Sequence, residues 1–222
     1  MCGRFSLSTP PEQIARQFRL TTTPSVTPHY NIAPTQNVSA IRTTDAGRQL
    51  AALRWGLIPA WADDAKIGNR MINARSETAA TSPAFRRAFR ERRCLIVADG
   101  FFEWQKVDAK TKQPFFIRLE DDAPFGFAGL WEAWRGPDGA VVESCTILTT
   151  TPNELVSAVH DRMPVLLPPT AYDTWLDPQQ NDVATLQALL APYPAEEMMA
   201  YPVTTLVNSP RNDGAELVAP LG

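Results

Sequence analysis

The chain has 222 residues, 44% hydrophobic and 20% charged, close to the about 45–50% and about 25% of soluble globular proteins and unlike a disordered tail. Its formal charge of −3 divides unevenly: residues 1–118 carry 18 Lys and Arg against 9 Asp and Glu, a net of +9, and residues 119–222 carry 3 against 15, a net of −12. Apolar runs such as Phe125 to Trp131 fall far short of the roughly 18 residues that cross a bilayer, and the N-terminus lacks the apolar stretch of a secretory signal.

A first helix is expected from Thr9, where Thr9-Pro-Pro-Glu12 has the form of a capping box and Ile14 and Phe18 share a buried face. A Thr- and Pro-rich loop follows to Pro34. Val38–Arg42 and Gln49–Leu57 read as strands around the turn at Asp45 to Arg48, and a second helix is expected from Ser82 with Phe85 and Phe89 inward. Residues 94–150 read as a meander of five strands separated by turn signals such as Gly136-Pro-Asp-Gly139. Thr151-Pro-Asn-Glu154 repeats the capping-box pattern and opens a short helix to about His160. A strand at Val165–Leu167, helices near Thr170–Leu176 and Asp182–Leu190, and a last strand around Pro202–Val207 complete the chain. Strands outnumber helices and follow one another, so the expected fold class is α+β, an antiparallel or mixed β-barrel with peripheral helices, in one domain over residues 1–222.

Three cysteines, at positions 2, 94 and 145, form no paired framework, and the two histidines, His29 and His160, stand at no ligand spacing from them. No metal site and no cofactor are expected, and the absent secretory signal points to the cytoplasm. Cys2 is the informative one. A small second residue allows the initiator methionine to be removed, leaving an α-amine and a thiol on adjacent carbons. Such an aminothiol condenses with an aldehyde to an imine and closes a five-membered thiazolidine. The same opening, Met-Cys-Gly, also begins class II glutamine amidotransferases, where the freed cysteine attacks an amide as a thiolate. The tripeptide leaves both chemistries open.

Further candidates lie inside the chain. Asn73, in Asn73-Ala-Arg75-Ser-Glu-Thr78, offers a donor and an acceptor for a small ring, and Arg75 can fork onto a phosphate. Glu103, between aromatics in Asp99-Gly-Phe-Phe-Glu103-Trp104, is a carboxylate in an expected buried strand, suited to general acid/base work with a raised pKa. His160 stands beside Asp161 and Arg162 at the end of the expected helix. Arginine supplies 17 of the 21 cations, and Arg86, Arg90 and Arg93 fall at i, i+4 and i+7 of the second helix, a stripe that is either a solvated face or a DNA contact.

These segments resemble the SOS response-associated peptidase family, also described as abasic-site processing proteins. The resemblance rests on Cys2-Gly-Arg4-Phe, Tyr30-Asn-Ile-Ala-Pro34, Trp55-Gly-Leu-Ile-Pro59 with Trp61, Asn73-Ala-Arg-Ser-Glu-Thr78, Asp99-Gly-Phe-Phe-Glu-Trp104 and His160-Asp-Arg-Met-Pro164, in the family's order. Phe102 stands where tyrosine is common and Gln105 where lysine is common. The resemblance implies covalent capture, through a Cys2 thiazolidine, of an abasic deoxyribose in single-stranded DNA. Asn73 would hold the closed ring, while Glu103 and His160 would assist sugar opening and proton transfer. Arg4, Arg75 and Arg162 would fix phosphates, with Trp55 and Trp61 stacking on flanking bases. The peptidase activity credited to the family is read as self-removal of Met1; a monomer that joins the nucleoid when DNA-bound is expected. The rivals of this reading are an N-terminal-nucleophile amidohydrolase and a non-covalent single-strand binding module.

Overall fold

The computed structural model describes residues 2–221; the expected removal of Met1 falls outside them. The elements in order are β1 (Phe5–Leu7), α1 (Pro11–Phe18), β2 (His29–Ile32), β3 (Asn37–Thr44), β4 (Gly47–Trp55), β5 (Asn73–Arg75), α2 (Ser76–Ala79), α3 (Arg86–Glu91) and β6 (Arg93–Ala98). Then come β7 (Gly100–Lys106), β8 (Lys112–Leu119), β9 (Phe125–Arg135), β10 (Val141–Thr150), α4 (Glu154–Ser157), β11 (Met163–Pro164), β12 (Leu166–Leu167), α5 (Tyr172–Leu176), α6 (Val183–Ala188) and β13 (Met198–Pro202).

Five strands close on themselves. β3 pairs antiparallel with β4 and with β6, β6 with β9, and β9 with β10. β10 then runs parallel to β4, with Cys145 opposite Trp55, and completes a mixed barrel. β5 lies parallel to β10 on its outer course, Asn73 opposite Ile147. A second, antiparallel sheet follows the order β13-β8-β7-β1-β2. The fold is thus α+β with a barrel core and short peripheral helices.

Two-residue alternation assigns the faces of β7. Phe101 joins the main core, its ring 6.0 Å from that of Phe127, whereas Phe102 turns into a smaller cluster with Phe116, Val203, Val207 and Leu217. Phe102 is fully buried with its ring 4.9 Å from Phe116, an apolar setting that asks for no tyrosine hydroxyl. The same alternation puts Glu103 on the side of the main core. Gly100 is required at the start of this strand, because a Cβ there would lie 2.2 Å from the Phe116 ring.

Several boundaries depart from the sequence reading. Thr9 does not cap α1: its hydroxyl donates to Asp99 at 2.6 Å, and Pro10 occupies the cap without a side-chain bond. The helix at 154 is capped by Asn153, which accepts from the Val156 N–H at 2.9 Å, rather than by Thr151. β2 lies inside the expected loop. The last strand is Met198–Pro202, paired with β8, because Val203 and Val207 leave the sheet to fill the smaller cluster. α3 spans only Arg86–Glu91, so Arg93 is not part of a helical stripe. It opens β6, is 5% exposed, and donates to the carbonyls of Phe89, Arg90, Trp175, Asp177 and Gln180. Burial leaves it a structural tie between β6, α3 and the segment after α5. Arg86 and Arg90 remain exposed.

Candidate active site

The N-terminal segment is threaded between the two sheets. β1 pairs with β7 through Phe5 and Phe101, and the Phe102 N–H donates to the Arg4 carbonyl at 2.9 Å, which carries Cys2 alongside Glu103. From the barrel side, Asn73 at the start of β5 donates Nδ2 to the Cys2 carbonyl at 2.8 Å. Its other amide atom, Oδ1, is a buried acceptor with no hydrogen-bond donor among the described residues. His160 follows α4, its N–H bonded to the Val156 carbonyl, and its Nε2 lies 4.0 Å from Glu103 Oε2. Four positions separated by up to 158 residues in sequence therefore meet: Cys2, Asn73, Glu103 and His160. Cys2 and Glu103 are buried, and the half-buried Asn73 and His160 form the solvent side.

Among the described residues, two groups approach His160 Nδ1: the Arg162 backbone N–H at 3.1 Å and the Asp161 carboxylate at 2.9 Å. The amide can only donate, so Nδ1 accepts and the neutral ring carries its proton on Nε2, toward Glu103. The Asp161 contact needs Nδ1 protonated; that side chain is 89% exposed, where water weakens the pair. Burial raises the Glu103 carboxyl above the ordinary range, and the nearby His160 partly opposes it. The Cys2 thiol is also pushed well up, first by burial and then by the Glu103 charge.

The expected DNA contacts divide. Trp61 is 59% exposed and Arg75 is exposed. Trp55 is fully buried, donates Nε1 to the Ile72 carbonyl at 2.8 Å and packs edge-on to Phe5, so its ring belongs to the core and is not available for base stacking. Arg162 is held by both oxygens of Glu77, at 2.6 and 2.9 Å, and by the Thr149 carbonyl at 2.6 Å. Its charge is already matched, and that pairing lowers the Glu77 pKa. Arg4 is half-buried, with Nη1 donating to Asn31 Oδ1 and the Val207 carbonyl, both at 2.7 Å. Arg4 and Arg162 are thus framework ties before they are phosphate ligands. One carboxylate of the acidic half, Asp161, stands at the site beside His160.

Three residues to which the sequence reading gave no structural part tie the segments around the site together. Asn31 spreads its amide over the carbonyls of Val207, Ser209 and Asn212 while accepting from Arg4, which locks the C-terminal segment against β2 and the Cys2 strand. Asp99 accepts from the backbone N–H groups and hydroxyls of Ser8 and Thr9, fixing the far end of β1. Gln105, two residues beyond Glu103 on β7, donates Nε2 to the Ala158 carbonyl at 2.8 Å. Asn31 and Asp99 lie in the matched blocks, yet nothing local distinguishes them from turn residues. Among the described residues, no three His, Cys, Asp or Glu side chains assemble as a metal site.

Residues 1–210 match the family model of the SOS response associated peptidase. The abasic site processing protein YoqW of Bacillus subtilis is 47% identical over 221 residues, covering 98% of this chain and 99% of that protein. The abasic site processing protein YedK of Escherichia coli is 33% identical with both chains covered completely. A crystal structure of a Bacteroides thetaiotaomicron protein superposes with a TM-score of 0.87 at 26% identity, covering 99% of this chain and all of that one.

Proposed function

The chain belongs to the SOS response associated peptidase family, and from that premise we propose that it processes abasic sites in single-stranded DNA by covalent capture on Cys2. The observation that carries the reading is the meeting of Cys2, Asn73, Glu103 and His160 at one seam of the fold. An aminothiol trap needs a fixed N-terminal residue, a polar group for the sugar and a proton donor and acceptor beside them. Asn73 supplies the first tie through Nδ2, and its spare Oδ1 is an acceptor for a sugar hydroxyl.

Chemistry follows from the protonation states. Once Met1 is removed, the freed α-amine attacks C1 of the ring-opened sugar; opening itself requires a proton delivered to the ring oxygen and one taken from the C1 hydroxyl. Glu103, with its pKa raised by burial, and His160 at 4.0 Å form a donor and acceptor pair for both. The carbinolamine loses its hydroxyl as water after protonation and becomes an imine. Cys2 sulfur then adds to the imine carbon while the thiol proton passes to nitrogen, closing the thiazolidine. One water leaves, and nothing is oxidised or reduced.

An amidohydrolase would require the reverse arrangement. Its cysteine acts as a thiolate, and cysteines serving that role sit in surroundings that lower the pKa, whereas burial and Glu103 push Cys2 up. In imine trapping the thiol gives up its proton only as the sulfur adds, and the imine nitrogen takes it. An abasic nucleotide is also cheap to splay into a buried site, since its base is already lost.

The test is denaturing electrophoresis and mass spectrometry after incubation with abasic single-stranded DNA. The processed protein is expected to give a stable adduct. Neither Cys2→Ala nor a form with Met1 locked in place should do so, with salt-sensitive DNA binding nearly intact in both. A stable thiazolidine-type adduct from the blocked form would falsify the N-terminal chemistry.

A further inference from the structure

β7 carries two polar side chains on one face, Glu103 and Gln105, and both reach the same short turn. Glu103 lies 4.0 Å from His160, and Gln105 donates its amide to the carbonyl of Ala158, two residues before that histidine. Ala158 is the C-cap of α4, a helix of only four residues, Glu154–Ser157, whose terminal carbonyls have few partners of their own. Such a turn is stabilised chiefly by what it packs against. From the helix side, Asn153 ties its start to the Tyr193 carbonyl at 2.8 Å, and the Arg162 backbone orients the imidazole. The Gln105 amide ties the other end of the turn to the strand that bears Glu103.

We propose that Gln105 is a positioning residue for the abasic-site chemistry: it fixes the turn after α4 to β7 and so sets the spacing between Glu103 and His160. The inference rests on the reading that these two residues move protons for Cys2. Because its Nε2 is committed to a backbone carbonyl, the side chain acts through the histidine it holds and touches no reacting atom. The requirement is a hydrogen-bond donor of sufficient length at this position, which lysine satisfies and glutamate or alanine does not.

Three variants on the processed full chain test it: Gln105→Ala, Gln105→Glu and Gln105→Lys. Removing the donor loosens the turn, and a displacement near 1 Å at reacting groups costs up to about 10²-fold, so Gln105→Ala and Gln105→Glu are expected to crosslink about tenfold more slowly than wild type. Gln105→Lys should restore most of the rate. Single-strand affinity and melting temperature should stay near wild type for Gln105→Ala, since the bond is at the surface.

Two readouts separate positioning from a general structural role. The titratable groups around Glu103 in the processed chain are the α-amine and thiol of Cys2, His160 and Asp161; the amine and His160 draw its carboxyl downward, and of these two His160 is the one whose spacing depends on Gln105. Weakening that contact moves the acid limb of the rate profile to higher pH in Gln105→Ala and leaves it in place in Gln105→Lys. The ring signals of His160, one of only two histidines, should shift in Gln105→Ala and not in Gln105→Lys, a measurement that needs no reaction. Equal rates and unmoved His160 signals in Gln105→Ala overturn the proposal, as does a slow variant that lysine does not rescue. Absence of any adduct from wild type overturns the capture reading as well, whereas normal wild-type crosslinking with an indifferent Gln105→Ala overturns the positioning role alone.

Discussion

Substituting Glu103 by Gln should set stability and chemistry moving in opposite directions. Glu103 is 2% exposed, and burial raises its carboxyl above the ordinary 4.5. A folded state that keeps its proton to higher pH than the unfolded chain is most stable, as far as this group is concerned, below that ordinary value. The stability declines as pH rises toward the raised value and is level above it. Each tenfold change in acidity is worth about 1.4 kcal/mol. Gln has the same shape and carries no charge at any pH, so Glu103→Gln escapes the decline. The variant should match wild type within about 0.5 kcal/mol near pH 4 and be the more stable of the two near pH 8. In a chain of this size each kcal/mol of that difference appears as a rise of about 2–4 °C in melting temperature. Crosslinking, by contrast, should slow about 10²-fold for want of the titrating proton. Thermal unfolding by circular dichroism at pH 4, 6 and 8, beside crosslinking rates at pH 6 to 8, measures both. A difference in melting temperature that stays constant with pH would refute the buried-acid argument, and an unchanged rate would remove Glu103 from the proton transfers.

Trp55→Ala should cost about 3–5 kcal/mol in urea unfolding because the ring is core; Trp61→Ala, with its ring 59% exposed, should stay within about 0.5 kcal/mol while weakening single-strand binding by about 1–3 kcal/mol per stacked base in fluorescence anisotropy. Arg93→Met leaves several buried carbonyls without a donor and is expected to destabilise by about 3 kcal/mol or more without altering the salt dependence of DNA binding; a changed salt slope would return Arg93 to the DNA surface. Glu77→Gln releases Arg162, and the salt slope of single-strand binding should steepen by about one phosphate contact. Since pairing depresses the Glu77 carboxyl, its stability contribution is present above the ordinary carboxylate range and fades as pH falls through the lowered value, and the half-exposure of Glu77 keeps it below about 1 kcal/mol; a variant as unstable at pH 3 as at pH 7 contradicts that account.

Strand alternation made β3, β4 and β6 through β10 legible in sequence, because each carries a half-buried or fully buried run bounded by turn residues. Caps were legible only where no distant group competed. Thr9 has the spacing of a cap, but Asp99, 90 residues away, accepts its hydroxyl. Charge and aromaticity put forward Arg162 and Trp55 as DNA contacts and left Arg93 between a solvated face and a DNA contact, yet those properties say nothing of the carbonyls, the Glu77 carboxylate or the Phe5 ring that occupy them. What sequence could carry was chemistry: an aminothiol at position 2, an acid among aromatics and a histidine at a helix end. What it could not carry was the pairing of β1 with β7 and of β5 with β10, which is where their convergence originates.

That convergence also accounts for the matched blocks being scattered along the chain. Cys2 precedes a strand of only three residues, too short to hold a reacting group by its own ladder. Its position is fixed instead by contacts from four directions: Asn73 on its carbonyl, β7 along its backbone, Asp99 at the far end of β1, and Asn31 through Arg4. These contacts come from three of the matched blocks, around Asn31, Asn73 and Asp99 to Trp104. An aminothiol is reactive toward aldehydes wherever it is exposed, so under the proposed capture the fold's contribution is selectivity: with Cys2 and Glu103 buried, an aldehyde has to reach them past the half-buried Asn73 and His160.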